Sequence, residues 1–492
     1  MNLSQLNSTK ALILRPFRLL SLLGVLALQS ACVTSVITPE QETQAGSAMS
    51  QQVADQIGLY DDPALERYVD SVGQRLVDAL GESPYAFQFS VVDQFEPNAF
   101  ASPGGFIYIS RGLLAQMNSE AELAGVIAHE ISHVTRRHHA RQVGRSLGTG
   151  LLTLPGKAVG VVSQDLGNMI NTPIEYAGQV YLSSYSRGQE TEADQYGMKL
   201  AAAAGYDPLA LADALEGIER TVFLLTGEHH EATYMDTHPT TPQRVTDINT
   251  LAASLTPATI PPIATRAQLY YNLDGLWWDP QNPQQGVFKG TSFLNADMDF
   301  TVTFPSEWET VNTPRFVGAT EKEGGAYLAL GANSGEFTPE GYAAALITRM
   351  RDQARLEPNV NSAFDIGGWP AHVVRYDETA DDRVVSLYYV FVAAPGGSYT
   401  FMAMGFEEFR ETLRKSVMSI RPLSDAERNS IRGLRLRVTA IRPGESLEQW
   451  AKRNSSEWGP KFISSMNGLD SEQHIGSGEP LKYVREEKYV AP

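Results

Sequence analysis

The sequence predicts a multidomain α+β protein: a mainly helical domain with a small β-sheet, an antiparallel α+β middle domain, and a βααβ module at the end. Three observations point there. The chain has 492 residues, more than one hydrophobic core holds together. Apolar residues recur at helical spacing over most of residues 52–255, with only two short alternating runs among them. The proline-rich stretch "SLTPATIPPIATR" (Ser254 to Arg266) then divides this region from a series of strand patterns.

In chain order, Lys10, Arg15 and Arg18 precede the apolar run "LLSLLGVLAL" and the small residues Ser30 and Ala31. This is the grammar of an export signal over residues 1–31. The run falls short of the roughly 20 apolar residues a membrane-spanning helix needs, so cleavage rather than retention is expected. Residues 32–51, rich in Gln, Ser and Thr, read as a tether. A helix should start at Asp62-Pro63, where an N-cap precedes a first-turn proline, line up Leu65, Tyr68, Val69, Val72, Leu76 and Leu80, and stop at Gly81. "FQFSVVD" and "GFIYIS" alternate like short strands, the second after the turn signal "SPGG". The glycine-rich apolar segment from Leu147 to Gln164, broken by Pro155, reads as a buried helical hairpin. Together these make a first domain over residues 52–255, with a linker over 256–268.

The middle domain, residues 269–428, should be antiparallel. "MDFTVTFPSEW", "AYLALGA", "AHVVRYDE" and "VVSLYYVFVAA" are strand patterns, and helical patterns lie near Pro339 to Leu356 and Glu407 to Val417. Trp277, Trp278 and Trp308 are expected in packing rather than on a binding surface. Residues 434–488 run strand, Pro443-Gly444 turn, helix, a second helix ending at Asn467-Gly468, and a last strand. The formal charge of -18 argues against nucleic acid as a partner. With Cys32 the only cysteine, no internal disulfide can form.

The chemistry concentrates in "LAGVIAHEISHVTRR", Leu123 to Arg137. Ser119-x-x-Glu122 is a capping box for its helix, and Leu123, Ile127, Ile131 and Val134 form a stripe to bury. On a helix positions i and i+4 lie one above the other, so His129 and His133 can turn ring nitrogens to one metal ion. Glu130, rotated by about 100 degrees, can reach a water on that ion without binding the ion itself. Two imidazoles and a carboxylate on a buried helix face are costly unless a cation compensates them. A catalytic zinc takes a third protein ligand, and "RGQETEAD" at the start of a second amphipathic helix packs Glu190, Glu192 and Asp194 together. Those acids could equally decorate a helix N-terminus.

"NAFASPGGFIYISRGLL", "HEISH" and "RGQETEAD", in this order, resemble the zinc metallopeptidase family that includes the CAAX prenyl protease, the mitochondrial inner-membrane stress protease and the periplasmic beta-barrel assembly-enhancing protease. The resemblance spans about Gln51 to Leu255 and implies one Zn2+ per chain. It implies Glu190 as third ligand with Asp194 behind it, orienting a metal-bound histidine, and leaves Glu192 to solvent or a salt bridge. "THPTTPQRV" resembles a further motif of the periplasmic branch, which implies that His238 approaches the zinc from a loop as a fourth ligand. Arg244 could pair with Glu190, with Asp194 or with a reaction oxyanion. Asn98, Ala99, Phe100 and Ala101 resemble the edge strand that holds substrate extended. The pairs His138-His139 and His229-His230 are read as solvated.

Two further resemblances bear on location. "LQSAC" resembles a bacterial lipoprotein box, departing from it at Gln29, and implies a lipid on Cys32 and an outer-membrane destination. The terminal module resembles LysM through Arg442-Pro443-Gly444-Glu445-Ser446-Leu447, Asn467-Gly468-Leu469 and Leu481-Lys482-Tyr483, implying contact with peptidoglycan. The expectation is an exported, periplasmic zinc endopeptidase, anchored at the outer membrane and acting on unfolded or stalled envelope proteins. The alternatives are a peptidase of cell-wall remodelling and a chaperone-like binder whose zinc site is closed by His238.

Overall fold

The computed structural model describes residues 37–141, 185–226, 234, 238, 242–259, 264–333, 335, 338–380, 383–469, 476 and 478–491. The export signal, Cys32, the Leu147 to Gln164 segment and His229-His230 lie outside these. The chain is a multidomain α+β protein. Among the described residues no helix is long and apolar enough to cross a membrane.

The expected tether is largely a helix, α1 (Pro39–Gln56). Thr38 and Gln41 form a reciprocal capping box and Pro39 occupies the first turn, so the polar composition conceals a strong start signal. The helix packs on the small sheet: at Gly46 a Cβ would stand 1.7 Å from the Pro103 carbonyl oxygen, so only glycine fits. Its buried Glu42 accepts from Tyr85 and from Arg137, 3.1 Å from the guanidinium Nε. Helix α2 (Pro63–Leu80) follows as the pattern predicts, with Asp62 accepting from the Ala64 and Leu65 N–H groups and Gly81 closing it.

Strands β1 (Gln88–Val92), β2 (Ala99–Ser102) and β3 (Phe106–Ser110) form a sheet in the order β1-β3-β2, with β1 parallel and β2 antiparallel to β3. β2 is therefore an edge strand. Helix α3 (Arg111–Gln116) leads into α4 (Glu120–Thr135), which is buried almost throughout. Its cap differs from the expected box: Ser119 accepts from the Glu122 N–H at 3.1 Å, but the Glu122 carboxylate accepts from the Asn118 N–H at 2.8 Å and the Ser119 hydroxyl at 3.4 Å instead of from the Ser119 N–H. Helices α5 (Arg187–Ala203), α6 (Ala210–Thr226) and α7 (Pro242–Ala252) complete the domain. Helix α8 (Arg266–Leu273) begins inside the expected linker, because Thr265 and Gln268 cap it and Leu269, Tyr270 and Leu273 are buried.

The middle region opens with the antiparallel set β4 (Val287–Lys289), β5 (Ser292–Asn295) and β6 (Phe300–Thr303). Strands β7 (Glu309–Asn312), β8 (Val317–Thr320) and β9 (Ala326–Ala332), helix α9 (Pro339–Ala354), and strands β10 (Val360–Ile366), β11 (Trp369–Ala380), β12 (Arg383–Ala394) and β13 (Gly397–Phe406) follow. The seven strands form one sheet, order β10-β11-β12-β13-β9-β8-β7. Helix α9 covers one face through Ala343, Leu346 and Met350, and α10 (Arg410–Val417) covers the other through Leu413 and Val417.

After the short α11 (Asp425–Ser430), strand β14 (Arg432–Ala440), helices α12 (Leu447–Arg453) and α13 (Pro460–Met466), and strand β15 (Pro480–Lys488) give the βααβ order, with β14 and β15 antiparallel. Trp277 and Trp278 belong with this module rather than with the middle domain. Residues 275–278 bond alongside β14, with the Gly275 N–H donating to Leu436 and the Trp278 N–H to Leu434, and the Trp278 ring meets Trp458 edge-on at 4.9 Å. Trp308 does lie in the middle domain, half-buried against Phe409. The module shares one apolar core with the helical domain. Lys482 is fully buried and donates to the Ala115 and Met117 carbonyls at 2.8 and 2.7 Å, just before α4.

Candidate metal centre

His129 and His133 sit one turn apart on α4, both fully buried, with Nε2 atoms 2.9 Å apart. Helix α5 crosses α4 at Gly197, where a Cβ would lie 2.9 Å from the His129 nitrogen and 3.0 Å from its Cα. That close approach brings Glu190, at the start of α5, to the two rings: its oxygens lie 3.4 Å from His133 Nε2 and 3.6 Å from His129 Nε2. Gly197→Val is therefore expected to force the helices apart, at about 1–3 kcal/mol. Thermal melting and metal retention would both fall; unchanged values would show that the crossing tolerates a side chain.

His238 completes the group. Its Nδ1 is 3.2 Å from His129 Nε2 and 3.1 Å from Glu190 Oε2. One donor atom from each of His129, His133, Glu190 and His238 lies within 4.8 Å of every other, and all four residues are buried. A tetrahedral ion bound at about 2.0–2.1 Å holds neighbouring donors roughly 3.3–3.4 Å apart, and the separations here, from 2.9 to 3.6 Å, bracket that spacing. Neutral ring nitrogens carry either one proton or one lone pair, so these pairs cannot all be satisfied by hydrogen bonds to one another. A shared divalent cation satisfies them at once, and the donor set fits one.

The surrounding charges follow from position. Arg244, from α7, bonds both Asp194 oxygens at 2.8 Å and lies 2.9 Å from Glu190 Oε2, so it takes both of the carboxylate partners considered for it. It also donates to the His238 carbonyl at 2.9 Å, fixing the loop that carries the ring. Asp194 lies 3.0 Å from His129 Nδ1, off the axis of the ring N–H. Burial would raise the Glu190 and Asp194 pKa values, but the histidines around Glu190, and Arg244 with His129 around Asp194, hold both below the carboxylate range. Burial likewise depresses the His129 ring, yet Asp194 and Glu190 outweigh it and hold the ring up at about 9. His133 is driven well below its ordinary value, first by burial.

Glu130 is fully buried, and among the described residues neither carboxylate oxygen has a hydrogen-bond partner; His238 Nε2 stands 3.4 Å from one of them, out of alignment. Burial raises its pKa, against the opposing effect of His238 and His129. A bare buried carboxylate is costly to the fold, so its presence beside the donor cluster calls for a chemical reason.

His138 corrects the reading of a solvated pair. It is fully buried, with Nδ1 2.8 Å from His133 Nδ1 and Nε2 3.2 Å from Glu192. His139 is half-buried and bonded to the Tyr185 hydroxyl at 2.6 Å. Glu192 forms salt bridges with Arg136 and Arg141. Sequence reasoning also missed Tyr185, whose ring stacks on His133 with centroids 3.8 Å apart, and Tyr234, stacked on His238 at 4.4 Å. No spacing rule marks either.

Residues 63–252 match the model of Peptidase family M48. The beta-barrel assembly-enhancing protease of Escherichia coli is 32% identical over 186 residues, 37% of this chain and 38% of its own length. The protein of that name from Yersinia pestis is 33% identical over 190 residues, again 37% of this chain and 38% of its own. The mitochondrial metalloendopeptidase OMA1 of Schizosaccharomyces pombe is 30% identical over 182 residues, 37% of this chain and 51% of its own. The chain thus spans about half or less of the length of these relatives. The donor cluster of α4 and α5 lies inside the segment that matches Peptidase family M48, a metallopeptidase family.

Proposed function

We propose that the chain is an exported zinc-dependent endopeptidase that hydrolyses peptide bonds of misfolded or misassembled envelope proteins. The observation that carries this is the juxtaposition of the four-donor cluster with the bare carboxylate of Glu130. The bacterial relatives, named as beta-barrel assembly-enhancing proteases, support the envelope setting. Three imidazoles and a carboxylate suit zinc, which when bound supplies a Lewis acid beside which water gives up a proton near neutral pH. Glu130 takes that proton and returns it to the departing amine; burial, by raising its pKa, makes it the stronger base. Asp194 and Arg244 hold the donors in place.

Substrate would lie along β2. The Ser110 N–H donates to the Asn98 carbonyl, so Asn98 and Phe100 face β3 and the backbone groups of Ala99 and Ala101 point away from it. An extended client could pair there, which favours unfolded chains over folded ones.

His238 as fourth donor makes the described form a closed one. His238→Ala should raise cleavage of a fluorescent casein several-fold while zinc stays bound by the other three donors. A dormant enzyme that stays dormant in this variant would end the closure reading. A lipid on Cys32 would tie the protein to the outer membrane, and the βααβ module would add contact with peptidoglycan. Digestion of purified sacculi as fast as casein would favour cell-wall remodelling instead.

The direct test is metal content measured beside proteolysis. Protein prepared without chelator should hold one zinc per chain and cleave an unfolded outer-membrane protein, lose that activity on metal stripping, and recover it on zinc addition. Metal-free protein, or cleavage that outlasts stripping, sinks the reading.

A further inference from the structure

We infer that His138 and Glu192 form a relay that fixes the ring of His133 from behind, making both positioning residues for the metal. This rests on the metallopeptidase reading and adds residues to it. His133 turns Nε2 toward Glu190 and His129, so Nδ1 is its outward nitrogen, and that atom meets His138 Nδ1 at 2.8 Å. Two ring nitrogens at that distance share one proton. A histidine that binds a cation through Nε2 carries its proton on Nδ1, so His133 donates and His138 accepts. The His138 proton is then on Nε2, which faces Glu192 at 3.2 Å. Every atom in the sequence Glu192, His138, His133 has the role its neighbour requires, and only one pair of tautomers allows it.

The backbone is arranged for the same end. Helix α4 stops at Thr135, and Arg137 takes the left-handed conformation with φ 57°, uncommon for a residue with a side chain. Its guanidinium is held by Glu42 of α1. This turn folds His138 back behind His133, where it is fully buried. Glu192 is held in turn by Arg136 and Arg141. Residues from three helical segments thus converge on one ring nitrogen.

The test compares His138→Phe, which keeps a buried ring but no nitrogen, with His138→Asn, whose amide oxygen can accept from the His133 N–H. Zinc affinity is measured by chelator competition, the ligand field by the visible spectrum of the cobalt-loaded protein, and folding by melting of the metal-free form. The phenylalanine variant should bind zinc about 10–100-fold more weakly with a shifted cobalt spectrum. The asparagine variant should recover most of both, and the two metal-free proteins should melt alike. Glu192→Leu should weaken zinc in the same direction. Wild-type affinity and spectrum in His138→Phe and Glu192→Leu overturn the relay alone, as does equal loss in Phe and Asn tracking a lower melting point, which would make His138 a packing residue. A wild-type protein that binds no metal brings down the relay together with the peptidase reading.

Discussion

Glu130→Gln should lower kcat/KM on an unfolded protein substrate by about 10²–10⁴-fold while zinc content is unchanged and the melting temperature is equal or higher. Glutamine has the shape of the original side chain but cannot take a proton from water. Because neither Glu130 oxygen has a hydrogen-bond partner among the described residues, substitution breaks no bond with them and relieves the fold of a buried charge. Activity and stability are therefore expected to move in opposite directions, the pattern of a group kept for chemistry. Loss of zinc along with activity would make Glu130 a ligand, and cleavage at the wild-type rate would remove it from the reaction.

Ending the chain before β14 should abolish folding of the helical domain, although the metal donors lie between 194 and 303 residues earlier. The module covers Trp277, Trp278 and Tyr270 through contacts that include Trp458, Tyr489 and Lys482. Exposing large apolar side chains costs roughly 1.5–3 kcal/mol each, and a domain is stable by about 5–15 kcal/mol in all. Lys482→Met is the milder form: it strips the donor from the Ala115 and Met117 carbonyls ahead of α4, at about 1–3 kcal/mol for each group left buried and unpaired. Soluble, cooperatively melting protein from the truncated chain would show the module to be separable.

The parts of this fold that depend on neighbours in sequence were legible. Ser119 and the apolar stripe mark α4, Asp62-Pro63 marks α2, and alternation marks β9 and β12, because capping and periodicity are local. The four-residue spacing of His129 and His133 is likewise a property of one helix. What was lost depends on distant partners. His138 is buried by a turn held from α1 and a carboxylate 54 residues on. Helix α1 looks like a tether because its polar residues hide one buried acid whose cation is Arg137. Trp277 and Trp278 pair alongside a strand some 160 residues later, and composition gives no sign of it.

The capping box at Thr38 has a mechanical corollary. If a lipid is attached at Cys32, only six residues lie between the acyl-bearing end and the rigid body that starts at Pro39. Fully extended, that leash reaches roughly 25 Å, against roughly 70 Å had the chain been slack through residue 51. So short a mooring would keep the protein against the bilayer that holds the lipid, and a client would have to come within a protein's width of that surface to reach it.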